Sequence, residues 1–126
     1  MTADILGIHH VQVTVPAGRM ADALRFYGET LGLEEIAQPA REQPEPGAWY
    51  RVGSAELHLR AEAEGATDTV PSRRHVAFAV ADLKRIRQAL TVAGAEFLPD
   101  TRPAPGLRRL FVRDPGGNRV ELMERP

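Results

Sequence analysis

The side chains of this 126-residue chain that suit chemistry are its four histidines and a handful of carboxylates, since there is no cysteine to act as nucleophile, thiolate ligand or disulfide partner. Three histidines and one glutamate stand in matched places. The offset from His10 to His75 is 65 (75 − 10), that from His58 to Glu121 is 63 (121 − 58), and that from Gly32 to Gly94 is 62 (94 − 32), so the second half of the chain repeats the first with small loop differences. Imidazole and carboxylate are ligands of intermediate softness. Three neutral imidazoles with one carboxylate suit a divalent ion such as Zn, Ni, Mn, Co or Fe and leave room for water or substrate. No compact motif of the H-E-x-x-H kind is present, so the set depends on a fold that brings distant residues together.

The elements that must position these residues are legible from periodicity. In Ile8 to Val15, Val11, Val13 and Val15 alternate with His10, Gln12 and Thr14, and in His75 to Val80, Val76, Phe78 and Val80 alternate with His75, Ala77 and Ala79, as in strands with one buried face. By the same parity His58 opposes Leu57 and Leu59, and Glu121 opposes Val120 and Leu122. Each polar residue is therefore expected on the face away from the helix. His9 shares parity with Val11 and is assigned to structure or the strand edge.

Met20, Leu24, Tyr27 and Leu31 recur at helical spacing and predict a helix over 17–31 that ends at Gly32. Asp82 is placed to cap a second helix through Leu83, Ile86 and Leu90, ended by Gly94. Short strands are expected over 33–37, 50–52, 55–60, 95–98, 108–112 and 119–123, with Asp114-Pro-Gly-Gly-Asn118 as the turn between the last two. The Pro-rich stretch 38–47 and the stretch 63–73 are expected as loop and linker. Each half then has the order βαβββ. The fold class is α+β: two tandem modules, about 5–62 and about 74–125, within one domain, their sheets forming a curved mixed-sheet trough with the helices on the outer face. Around such a trough His10, His58, His75 and Glu121 converge, within one chain or across a dimer.

Composition narrows the partners. With 16 Lys+Arg against 17 Asp+Glu the net charge is −1, which offers no footprint for nucleic acid. No apolar run reaches membrane-spanning length, and the chain starts without the basic end and apolar run of a signal peptide, so a cytoplasmic protein without a membrane partner is expected. A homodimer is expected, because an unpaired strand edge along the trough would leave backbone groups exposed. Glu56 shares a face with His58 and is a reserve ligand or an orienting partner for an imidazole. Arg102, Arg108 and Arg109 flank the loop at Pro103 to Gly106, where an arginine would meet a substrate carboxylate or phosphate or simply be solvated. Trp49 and Phe111 are candidates for the trough walls.

Ile8-His-His-Val11, Phe26-Tyr-Gly-Glu-Thr-Leu-Gly-Leu33, Leu57-His-Leu59, His75-Val-Ala-Phe78 and Asp114-Pro-Gly-Gly-Asn-Arg-Val-Glu-Leu122 together resemble the glyoxalase, bleomycin-resistance and dioxygenase superfamily, the vicinal oxygen chelate proteins. The resemblance implies paired βαβββ modules and a metal held from the first and last strand of each, which maps onto His10, His58, His75 and Glu121. Lactoylglutathione lyases carry Glu at both last-strand positions, and His58 departs from that pattern. The function implied is a divalent-metal-dependent lyase or isomerase that acts on a small molecule through two neighbouring oxygens by stabilising an enolate or enediolate, with Glu121 as the candidate base. Alternatives are an extradiol-type dioxygenase using His10, His75 and Glu121, and a non-catalytic small-molecule binding or resistance protein.

Overall fold

In the computed structural model, which describes residues 4–41, 45–66 and 72–125, the chain forms two four-stranded mixed sheets and two helical segments. The first sheet contains β1 (His10–Val15), β2 (Glu34–Ile36), β3 (Gly47–Val52) and β4 (Ala55–Ala61) in the order β1-β4-β3-β2. The second contains β5 (His75–Val80), β6 (Glu96–Leu98), β7 (Arg109–Arg113) and β8 (Arg119–Glu124) in the order β5-β8-β7-β6. In both, the outer pair β1/β4 or β5/β8 is parallel and the other pairs are antiparallel. Identical order and sense in the two halves bear out the duplication inferred from the offsets. Among the described residues no helix is long and apolar enough to cross a membrane.

The helical segment after β1 departs from the single helix expected over 17–31. A 3-10 turn (Ala17–Arg19) leads into α1 (Met20–Leu24), and residues Arg25–Thr30 continue as a π-helix. The wider turn, which carries Leu31 N–H to the Phe26 carbonyl at 2.9 Å, lets the adjacent Phe26 and Tyr27 both face the core. The second helix, α2 (Leu83–Val92), is capped as expected: the Asp82 carboxylate accepts from the Arg85 N–H at 3.1 Å. β3 begins three residues before the expected strand because Gly47 pairs with Arg60; a Cβ there would lie 2.0 Å from the Leu59 carbonyl oxygen, so only glycine admits the close approach. Apart from Gly47, the expected loop and linker are irregular where described; residues 42–44 and 67–71 of them lie outside the described residues.

One core joins the two modules. Val15, Tyr27, Leu57 and Leu59 from the first pack in a single cluster with Phe78, Leu90, Val120 and Leu122 from the second. The turn between β7 and β8 locks this arrangement. Asp114, buried, accepts from the Gly116 and Asn118 N–H groups at 2.9 and 2.8 Å, from the Asn118 side chain at 2.8 Å, and across the modules from the Tyr27 hydroxyl at 2.6 Å. With four donors the buried carboxylate is fully compensated. Asn118 also donates to the Thr14 carbonyl at 2.8 Å. Burial, and then the Asp114 charge, push the Tyr27 hydroxyl well above its ordinary range.

Candidate functional site

The alternation of β4 and β8 places His58 and Glu121 opposite their Leu and Val neighbours, as parity requires, yet both are buried, at 4% and 3% exposure. The faces away from the helices are therefore covered, and different side chains cover each.

On the first sheet the antiparallel register sets Trp49 beside His58, and the parallel register sets Gln12 beside His58 and His10 beside Glu56. The rings form a continuous stack: Trp49 lies on His58 with centroids 3.7 Å apart, and His10 lies on the other side at 4.1 Å, nearly parallel. His58 Nε2 lies 2.9 Å from the Glu56 carboxylate, a bond that holds the Glu56 carboxyl below its ordinary range. Glu56, expected as a reserve ligand or an orienting partner, is thus in contact with the His58 imidazole. His9 touches His10 through their Nδ1 atoms at 2.9 Å, and its carbonyl accepts the Glu56 N–H.

On the second sheet His75 and Glu121 meet, Nε2 to Oε1, at 3.0 Å. His75 Nδ1 is 2.8 Å from the Arg73 carbonyl, which can only accept, so Nδ1 carries a hydrogen there and Nε2 is the nitrogen turned toward Glu121. The second Glu121 oxygen, Oε2, is buried with no hydrogen-bond partner, and the nearest cationic nitrogen is Arg109 Nη1 at 3.6 Å. Arg109 is held rigidly. Its Nε and Nη2 donate to the two Asp100 oxygens at 2.9 and 3.1 Å, and Nη2 also reaches the Arg102 carbonyl at 2.9 Å. The same pairing lowers the Asp100 carboxyl and raises Arg109 relative to their ordinary values. Phe111 stands beside the pair, its ring centroid 5.8 Å from that of His75 in an edge-to-face arrangement and 5.1 and 4.3 Å from the Arg109 and Arg119 guanidiniums.

The four residues singled out by offset and parity are thus brought together as two pairs, His10 with His58 and His75 with Glu121, one pair on each sheet. Among the described residues no three His, Asp or Glu side chains lie where one ion would bind them all. The donor chemistry still fits a divalent cation. An orphaned, buried carboxylate oxygen beside an imidazole with its Nε2 turned inward is an arrangement that a cation completes. Arg109 belongs with the second pair, while Arg108 is mostly exposed and pairs loosely with Glu124 at 3.6 Å. The Asp100 clamp and Arg119 were not singled out from sequence. The only signal for Arg119 was its place two residues before Glu121, on the same face.

A family model described as Glyoxalase/Bleomycin resistance protein/Dioxygenase superfamily matches residues 7–122. A crystal structure of a Bacillus anthracis protein described as glyoxalase family is 38% identical, each chain covering 100% of the other, with a TM-score of 0.84. At 15% identity, FosX, a fosfomycin resistance protein of Listeria monocytogenes solved as a Glu-to-Gln variant with Mn(II) and 1S,2S-dihydroxypropylphosphonic acid, has a TM-score of 0.78 over 97% of this chain and 94% of that one. Lactoylglutathione lyase from Agrobacterium tumefaciens, 20% identical, has a TM-score of 0.68 over 95% and 94%. These two likenesses concern the fold. No curated protein matches. With the family model spanning both modules and a full-length relative above one third identity, the chain belongs to the Glyoxalase/Bleomycin resistance protein/Dioxygenase superfamily.

Proposed function

We propose that the protein is a divalent-metal-dependent enzyme, of lyase or isomerase type, acting on a small molecule through two neighbouring oxygens, and that its centre is assembled from two copies of the chain. The observation that carries this reading is the pair His75 and Glu121, with one carboxylate oxygen buried and without a hydrogen bond, repeated at matched strand positions by His10 and His58 on the other sheet. One copy supplies each pair. The apolar residues Ile5, Leu6 and Ile8, exposed at 84%, 95% and 71%, supply a surface for a second copy to cover.

His10, His58, His75 and Glu121 would hold the ion, with Glu56 orienting His58. Bound there, a divalent ion supplies positive charge that stabilises an enolate or enediolate as charge develops on substrate oxygen. The protein's own groups do the rest. The Arg73 carbonyl keeps a His75 hydrogen on Nδ1, and Arg109, fixed by Asp100, stands 3.6 Å from the Glu121 carboxylate and balances its charge. Glu121 would take a proton from the carbon that bears one of the two oxygens and return it to the carbon that bears the other. Trp49 and Phe111 wall the two half-sites and exclude water. That FosX was solved with Mn(II), and that a lactoylglutathione lyase shares the fold, supports both the ion and the class of reaction.

A second reading, a small-molecule binding or resistance protein without a metal, is favoured by one observation: His10 and His58 lie face to face instead of converging at their edges. Titration of chelator-treated protein with Mn2+, Ni2+ and Zn2+ separates the two. The enzyme reading predicts saturable binding that Glu121→Gln weakens about tenfold or more, in line with removal of the one anionic ligand. Absence of saturable binding by all three ions would reject it in favour of the binding protein.

A further inference from the structure

The arginines of the second sheet are not equivalent. Arg108, Arg109 and Arg113 each have a carboxylate partner, Glu124, Asp100 and Glu96. Arg119 has no ion-pair or hydrogen-bond partner among the described residues; its guanidinium lies 4.3 Å from the Phe111 centroid. Asp100 senses its charge, but both Asp100 oxygens are occupied by Arg109. Arg119 pairs with His75 in the parallel register and stands two residues before Glu121, so all three side chains share one face. It also lines, with His75 and Asn118, a cavity of about 360 Å³ between β1 and β5. An arginine stacked on an aromatic ring keeps its in-plane N–H groups available, in the fork geometry that matches a carboxylate or phosphate oxygen pair.

We propose that Arg119 is an anion-binding residue of the site: it takes the acidic group of the substrate, which is therefore a small organic acid anion carrying a carboxylate, phosphonate or phosphate. Arg109 is not available for this, since three of its contacts are fixed and its remaining nitrogen faces Glu121. Two residues along a strand separate Arg119 from Glu121 by about 7 Å, the reach of a compact acid that has two oxygens at one end and its anionic group at the other. The Phe111 ring 4.3 Å from the guanidinium covers one of its faces with an apolar surface, which strengthens an ion pair formed in its plane. Naming the anion as the substrate rests on the function proposed above; the anion site does not.

Calorimetric titration of purified, chelator-treated protein with inorganic phosphate and with oxalate tests the site, in parallel with an Mn2+ titration. Arg119→Met keeps the stem and loses the fork; it is expected to weaken both anions about tenfold or more, with Arg119→Lys in between. Arg108→Met, which alters the exposed neighbour, is expected to leave them unchanged, and Mn2+ binding is expected to survive in Arg119→Met. Thermal melts establish that each variant is folded. Unchanged phosphate and oxalate affinity in folded Arg119→Met, or no binding of either anion by the parent, overturns the anion site. If the parent fails to bind Mn2+ while Arg119→Met still abolishes phosphate binding, the metal reading falls and the anion site stands.

Discussion

Glu121→Gln has opposite expected effects with and without metal. In the chelator-treated protein the replaced carboxylate is 3% exposed and one of its oxygens has no hydrogen-bond partner. Leaving a buried polar group unsatisfied costs about 1–3 kcal/mol. A glutamine can turn its amide nitrogen toward His75 Nε2, now an acceptor because the Arg73 carbonyl holds the hydrogen on Nδ1, and its oxygen toward Arg109. The attraction between the Glu121 charge and Arg109 is lost, which offsets part of that gain. The metal-free variant is therefore expected within about 1 kcal/mol of the parent and on the more stable side, a shift of roughly 3–5 °C or less at this size. With Mn2+ the order reverses. An ion present at a thousandfold above its dissociation constant adds about 4 kcal/mol to the parent, and a tenfold loss of affinity removes about 1.4 kcal/mol of that from the variant. Paired urea or thermal unfolding, with and without metal, reads both numbers. A metal-free variant destabilised by about 2 kcal/mol or more would show that Glu121 is satisfied within one chain, and an undiminished metal shift would remove it from the centre.

Tyr27→Phe removes the hydrogen bond that ties the modules and leaves Asp114 with three donors, so urea unfolding is expected to register a loss of about 1.5–3 kcal/mol. The folded Tyr27 hydroxyl keeps its proton to higher pH than the unfolded chain does. Its stabilising contribution is thus complete below the unfolded value of about 10 and is lost as pH rises through the folded value, an alkaline limb that Tyr27→Phe should flatten. Gly116→Ala would put a Cβ 2.5 Å from Val15 Cγ1 and 3.1 Å from Val15 Cα, and a thermal melt should show about 1–3 kcal/mol of overpacking. The Asp100 carboxyl is depressed by its Arg109 bonds, so its contribution is present above the unfolded value of about 3.9 and is lost as pH falls through the folded one. Asp100→Asn should shrink the acid limb of stability against pH; an unchanged limb would show that the clamp contributes nothing.

The order of elements along the chain and the strand faces of His10, His58, His75 and Glu121 were legible because they depend on a period of two and on the internal repeat, both written in the sequence, whereas the order of strands within each sheet was not. Other features depend on register or packing between distant segments. The Trp49, His58 and His10 stack requires two strand pairings to align at one position. The Asp100 clamp requires the loop at Pro103 to Gly106 to fold back so that Arg109 reaches its start. The π-helical turn at Arg25–Thr30 arises because two adjacent aromatics both find space in the core, which helical spacing alone does not foretell. Likewise the separation of four candidate ligands into two pairs follows from how one module packs on the other, and the turn chemistry of Asp114 and Asn118 gives no hint that it also fixes that packing.

Mixed dimers test the two-chain centre most directly. One protomer carries His10→Ala and His58→Ala, the other His75→Ala and Glu121→Gln, each with its own affinity tag so that dimers containing one of each are isolated. If the pairs join across two copies, the intact His10 and His58 of one protomer meet the intact His75 and Glu121 of the other, and the mixed dimer binds about one Mn2+ while both parent homodimers bind none. Mixed dimers as empty of metal as their parents, prepared beside an unmutated dimer that binds two, would contradict the account.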